Sequence, residues 1–243
     1  MNPHASLDKC LAFLDCQLEP KSTPAPRPAP LPYRSVTISR QKGAGGHEVA
    51  EKLAAFLQVK APNEACPWTI FDRNLVEKVL EDHHLPKRLV QFMPEDHISD
   101  ISDVMDELFG LHPSSWTLTE KTAETILHLA ELGNVILIGR GASFVTASLP
   151  HVFHVRLVAS VERRAERLQE SDHISNKAAI ELIRREDRGR ARYLSKHYDA
   201  DINDPLLYHL IINTERVGCE QAAELIGNAM LGKARIAGAT TKA

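Results

Sequence analysis

The chain has 243 residues, 43% hydrophobic and 25% charged, with a formal net charge of −3. This is the composition of a soluble globular α/β domain with extra segments; no apolar run approaches membrane-spanning length, and the slight acidity argues against non-specific nucleic-acid binding by the whole chain. The N-terminus lacks the basic and apolar regions of a secretory signal, and Cys10, Cys16, Cys66 and Cys219 show no close pairing pattern. Neither a disulfide framework nor a metal site is therefore expected, and a reducing cytoplasm fits best.

Ser6 to Leu18 reads as a short helix capped by Ser6, with Leu7, Leu11, Leu14 and Leu18 on one side. Too short to stand alone, this arm (residues 1–19) is expected to dock on the main domain or on a second subunit, which leaves a homodimer open. Six prolines between Pro20 and Pro32 make residues 20–32 an extended spacer. The folded domain is expected over residues 33–231, with 232–243 as a frayed tail.

Val36 to Ile38 is a β-branched run that reads as a buried strand. A turn with Gly43, Gly45 and Gly46 follows, and then Val49, Ala50, Leu53, Ala54 and Leu57 recur at the spacing of one helix face. Strand, glycine loop and helix together aim backbone N–H groups and a helix N-terminus at one spot, a natural seat for phosphate. The other reading is a tight strand-to-helix turn that needs glycine only for packing. The loop departs from the regular phosphate-binding pattern: Arg40 stands near the first Gly, Gly46 at the Lys, and His47 and Glu48 at the hydroxyl positions.

Trp68 to Phe71 reads as a second strand, followed by Asp72 and a helix over Asn74 to Leu80 that Asp72 is placed to cap. Glu81 to Ser114 is polar; the spacing of His83, His84 and His97 among Asp82, Asp96 and Asp100 matches no ligand pattern, and a solvated helical excursion is expected. Thr117 to Leu132 is an amphipathic helix ended by Gly133 or Asn134. Val135 to Ile138 is continuously apolar, as in a central parallel strand, and Gly139-Arg140-Gly141-Ala142 follows. Val152 to Val158 reads as the fourth strand, Leu207 to Ile212 as the fifth, and Glu220 to Leu231 as the last helix.

Strands alternating with helices imply a parallel sheet, whose ligands sit beyond the strand C-terminal ends. The glycine loop, Arg40 and Arg140 all lie at such ends. Arg163, Arg164 and Arg167 follow the fourth strand, and Arg184, Arg185, Arg188, Arg190 and Arg192 lie on a helix beginning near Asn176. Two arginine-bearing helices joined by a turn suit an anion, because the guanidinium fork binds phosphate oxygens in pairs. They equally suit a solvated surface paired with Glu162, Glu166, Glu170, Glu181 and Glu186.

Taken in order, these pieces resemble the cytidylate kinase-like family, a branch of the P-loop nucleoside monophosphate kinases, from about Val36 to Leu231. The residues that carry the resemblance are Val36 to Gln41 with Gly43 to Gly46, Phe71-Asp72-Arg73, Ile138 to Gly141, and Arg163, Arg164 and Arg167. Asp187, Arg190, Ala191 and Tyr193, then Asp204-Pro205, Tyr208 and Ile212-Asn213-Thr214, complete it.

The resemblance implies a three-layer α/β P-loop NTPase fold of the nucleoside monophosphate kinase type: a five-stranded parallel sheet, a nucleotide-binding excursion and an arginine-bearing lid. It implies ATP-dependent phosphorylation of CMP, dCMP or a related small phosphate acceptor, with Mg²⁺ held mainly through phosphates near Glu48 or Asp72. Gly43, Ala44, Gly45, Gly46 and His47 then cradle the donor phosphates, with Arg40, Lys42 or His47 in place of the loop Lys. Arg140 holds the acceptor phosphate, with Asp72, Arg73, Arg164 and Arg167 around it. Arg184, Arg185, Arg188 and Arg190, with Asp187, clamp the transferring group. A nucleotide-binding regulator without efficient transfer is the alternative; an interaction protein using the basic helices is a third, against which the net charge and the lack of interleaved aromatics count.

Overall fold

The computed structural model describes residues 33–60, 66–72 and 117–240, together with residues 12, 13 and 16. Strand β1 is Ser35–Arg40 and leads through the glycine loop into α1, Gly46–Lys60. Then come β2 (Thr69–Phe71), α2 (Thr117–Leu132), β3 (Val135–Ile138), a one-turn helix α3 (Ala142–Val145) and β4 (Val152–Val158). Helices α4 (Val161–Asp172) and α5 (Asn176–Tyr198), a 3₁₀ turn (Pro205–Leu207), β5 (Leu210–Asn213) and α6 (Cys219–Thr240) complete the described chain.

The five strands pair in the order β2-β3-β1-β4-β5, every pair parallel. This is the sheet implied by the resemblance, and it explains the unbroken apolar run of β3, whose four residues are all buried. A parallel sheet needs crossover helices, which cover both faces. On one face Val36, Ile38, Ile136, Val155 and Leu157 pack against Val49 and Leu53 of α1 and Ala222 and Ile226 of α6. On the other, Val135, Leu137 and Val152 meet Ala123, Leu127 and Ala130 of α2 and Val145 of α3. Helices α4 and α5 share a small core of Ala165, Leu168, Ala179 and Ile183.

Several expectations change. Cys16 and Cys66 form a disulfide across 50 residues of sequence, where no disulfide was expected. The pairing depends on the arm folding back: Phe13 is fully buried in the core, its ring edge-on to Phe71 at 5.6 Å. No local spacing announces that contact. The last strand begins at Leu210, not Leu207, because Asp204 caps a 3₁₀ turn through the Leu206 N–H at 2.9 Å and Pro205 sits in its first turn. Helix α6 runs on to Thr240, past Leu231, through a stretch free of proline. The spacer at 20–32, the helix expected over residues 74–80, the polar stretch 81–114 and Arg73 lie outside the described residues. No described helix is long and apolar enough to cross a membrane.

Candidate active site

Two glycines give the loop after β1 its shape. Gly43 and Gly45 have left-handed backbones (φ 80° and 77°), which side chains rarely adopt. A Cβ on Gly43 would lie 2.7 Å from the Arg164 carbonyl oxygen, and one on Gly45 would lie 2.6 Å from Cys219 Sγ. Burial and the neighbouring Glu48 push that thiol up to about 11, so it stays neutral.

The loop is clamped from behind. Arg164, almost fully buried, donates to the Lys42 carbonyl at 3.2 Å and to Asp187 Oδ2 at 2.6 Å. Asp187 Oδ1 accepts from the Lys42 N–H at 2.8 Å and from Arg190 at 3.2 Å, so α5 is tied to the loop. Thr214 Oγ1 donates to the Ala44 carbonyl at 3.0 Å, and Arg167 donates to Thr214 Oγ1 and O at 3.0 and 2.8 Å. Arg164, Arg167 and Asp187 therefore shape the loop and do not line the cavity beside it. His47 turns away toward Glu51, 3.6 Å off, and Glu48 is exposed.

That cavity, about 630 Å³, lies beyond the C-terminal ends of β1 and β3, under α3 and α5. Arg40, Lys42, Asp72, Arg140, Arg185 and Arg190 line it, six of the residues the sequence singles out, drawn from β1, the loop, the end of β2, the turn after β3 and α5. Its wall also has an apolar and aromatic part, with Phe144, Tyr193, Leu194, Ile202, Leu207 and Tyr208. Ser39, Tyr193 and Tyr208 belong to the pieces that carry the resemblance but are given no role at the site, and Phe144 is not singled out, since a lone Ser or aromatic carries no spacing signal. Arg184 and Arg188 sit on the neighbouring exposed stripe of α5, where Arg188 Nε donates to the Arg184 carbonyl at 3.3 Å.

Arg40 occupies an unusual path. Its side chain crosses Gly46, where a Cβ would lie 2.9 Å from Arg40 Cγ, and its guanidinium ends against Gly139, where a Cβ would collide with it. A cation thus lies across the position whose side chain, in a regular loop, would itself be the phosphate-binding lysine. Burial, with Arg190 beside it, lowers the Arg40 guanidinium to about 10, and Asp72 and Glu186 oppose that drop. It remains charged at neutral pH.

Arg140 is held in a left-handed conformation (φ 56°) between Gly139 and Gly141 at φ 80° and 73°. A non-glycine residue in that region is uncommon and strained, and such strain collects at functional positions. The turn is locked by the Gly139 N–H on the Ile38 carbonyl at 3.2 Å and the Ala142 N–H on the Gly139 carbonyl at 3.0 Å. Among the described residues no group of three or more His, Cys, Asp or Glu is arranged to hold a metal.

Residues 35–216 match the profile of the cytidylate kinase-like family. The cytidylate kinase of Pyrobaculum islandicum is 27% identical over 191 residues, 78% of this chain and 89% of that protein. Cytidylate kinases of Staphylothermus marinus and Pyrococcus horikoshii are 32% and 34% identical over 95 and 107 residues; the chain spans about half of each, 52% and 53%. The solved structure of an uncharacterized protein from Eubacterium ventriosum superposes with a TM-score of 0.54 over 81% of this chain and 97% of its own, at 18% identity, a likeness of fold.

Proposed function

The chain belongs to the cytidylate kinase-like family, and from that premise we propose that it transfers the γ-phosphoryl group of ATP to a small phosphate-bearing acceptor, with CMP and dCMP the first candidates. The observation that carries this reading is the convergence of Arg40, Arg140, Arg185 and Arg190 on one cavity beside the glycine loop. Phosphoryl transfer asks little covalent chemistry of the protein; it asks for in-line positioning and for positive charge around the transferring oxygens.

In the proposed step an oxygen of the acceptor phosphate forms a bond to the γ-phosphorus as the bond from γ-phosphorus to the β-bridging oxygen breaks, leaving ADP. The acceptor oxygen is already ionised near neutral pH, so no strong general base is needed. Gly43, Gly45, Gly46 and the first amides of α1 hold the donor phosphates, because the first N–H groups of a helix have no partner within it; the Ala44 N–H is taken by the Gln41 carbonyl at 3.1 Å. Arg40 supplies the cation that position 46 lacks, Arg140 holds the acceptor phosphate, and Arg185 and Arg190 close from α5. Asp72, at the end of β2, would be the residue to stand beside Mg²⁺, which would be held mainly through the donor phosphates and would supply neutralisation of their charge, since positions 47 and 48 carry no hydroxyl. The aromatic part of the wall takes the acceptor's ring and keeps water from the reaction. Cytoplasmic residence, where nucleoside phosphates are abundant, belongs to this proposal on the ground of the family alone, because the Cys16–Cys66 bridge removes the cysteine argument for a reducing compartment.

Diphosphate formation from ATP, Mg²⁺ and each of CMP, dCMP, UMP, AMP and GMP, resolved by ion-exchange chromatography, tests the reading. One acceptor should turn over, at a rate that Arg140→Ala lowers by about 10²–10³-fold. ATP binding with no diphosphate from any acceptor overturns it and leaves the nucleotide-binding regulator.

A further inference from the structure

The turn that carries Arg140 is left-handed at three residues in succession, Gly139, Arg140 and Gly141, at φ 80°, 56° and 73°. The glycines take that backbone freely; the arginine between them does not, and a strained residue keeps its conformation only where the surroundings hold it. The Arg40 guanidinium lies against Gly139 on one side. On the other side the bare Cα of Gly141 sits against α5: a Cβ there would lie 2.8 Å from Tyr198 Cε2 and 3.6 Å from both Leu194 Cδ1 and Tyr193 Cε1. Leu194 and Tyr193 line the cavity, whereas Tyr198 is buried behind it.

The Tyr198 ring is itself fixed. It ends α5, with its centre 4.9 Å from that of the Phe144 ring of α3, and it meets the Tyr193 ring edge-on at 6.1 Å. Helix α3 begins directly after Gly141, and the Phe144 and Val145 N–H groups donate to the Gly141 carbonyl at 2.8 and 2.9 Å, so ring and turn are held together. A ring packed between two others has little room to swing aside and serves as a stop for the turn. The Arg140 charge reaches the same ring: burial, with Tyr193 beside it, pushes the Tyr198 hydroxyl above its usual 10, and Arg140 opposes that rise. About three turns earlier on the same helix, Asp187 accepts from the Lys42 N–H at 2.8 Å and ties α5 to the glycine loop. One helix thus touches both the loop and the Arg140 turn.

We propose that Tyr198 is the positioning residue for Arg140. Its ring, seated on Gly141, holds the left-handed turn that aims the guanidinium, and α5 thereby sets the separation between the glycine loop and the acceptor phosphate. Tyr198 acts only through Arg140, from outside the cavity. This inference rests on the reading of Arg140 as the residue that holds the acceptor phosphate.

The test uses the full chain with ATP, Mg²⁺ and whichever of CMP, dCMP, UMP, AMP and GMP turns over fastest, together with calorimetric binding of ATP. Tyr198→Leu should lower kcat/KM for the acceptor about 10–10²-fold, the cost of a reacting group displaced by about 1 Å, while the ATP dissociation constant is unchanged. Tyr198→Phe keeps the ring and should keep transfer. Arg140→Ala combined with Tyr198→Leu should be little slower than Arg140→Ala alone, whereas two independent losses would multiply. Four results each overturn the inference and leave the kinase reading intact: transfer unaffected by Tyr198→Leu, ATP binding that weakens along with transfer, Tyr198→Phe as slow as Tyr198→Leu, or losses that multiply with Arg140→Ala. No diphosphate from the unaltered chain with any acceptor overturns both. Should Tyr198→Leu not fold, Tyr198→Met, unbranched and able to fill irregular space, decides on the same readings.

Discussion

Arg40 leaves the end of β1, passes over the bare Cα of Gly46 and stops against Gly139. The half-buried cation is an electrostatic resource: a charge already fixed at the cavity wall acts on phosphate with little reorganisation of its surroundings. His154 shows the opposite solution one turn of the pleat away. Its Nδ1 lies 2.8 Å from Thr37 Oγ1, which in turn lies 3.0 Å from Ser143 Oγ, and burial beside His209 lowers the imidazole from 6.5 to about 4. In the folded chain this ring stays neutral between those values, while in the unfolded chain it takes up a proton below about 6.5. The unfolded state then binds more protons, so stability falls as pH drops from 6.5 toward 4, by about 3 kcal/mol in total for this group. Thermal melts from pH 8 to pH 5 should show that loss, and His154→Asn should flatten it; parallel profiles for the two proteins would contradict the assignment. At this scale Arg40 and Arg140 are legible in the sequence, because each follows a short apolar run and so falls at a strand end. Arg164 and Arg167 are legible only as a shared helix face; spacing does not say that this face turns toward the back of the loop.

Helix α5 presents Arg185, Glu186, Gly189, Arg190, Tyr193 and Leu194 to the cavity, while Arg184 and Arg188 fall one stripe over. The periodicity of α5 is plain in its sequence, but its rotation about its own axis is set by the small core with α4 and by the Asp187 tie to the loop. The N-terminal arm illustrates the same limit more sharply. Its leucines announce a helix, yet what anchors it is Phe13 on Phe71 and the bridge to Cys66, just before β2. Closing a loop across 50 residues is worth about 2–4 kcal/mol when the unfolded chain is the state constrained. Reduction with dithiothreitol should lower the melting temperature accordingly, and Cys16→Ser should melt like the reduced chain and gain nothing from oxidation. A thiol titration of the denatured, unreduced protein that finds all four cysteines free would contradict the bridge.

At the scale of the molecule, five parallel strands put the C-terminal ends of β1, β2 and β3 side by side, and that alone brings Arg40, Asp72 and Arg140 to one cavity although about a hundred residues separate the first from the last. This much is open to sequence reasoning, since unbroken apolar runs alternating with amphipathic helices admit few arrangements. The polar column Ser35, Thr37 and Ser39 along β1, with His154 and Arg156 beside it on β4, is not, because it exists only once the register is set. On the proposed function Arg40 stands in for the lysine missing at position 46. Single-turnover transfer from ATP should fall about 10²–10³-fold in Arg40→Gly, and the double variant Arg40→Gly with Gly46→Lys, which returns both residues to the regular loop pattern, should recover most of that loss. Transfer in Arg40→Gly at the rate of the unaltered chain would contradict the account.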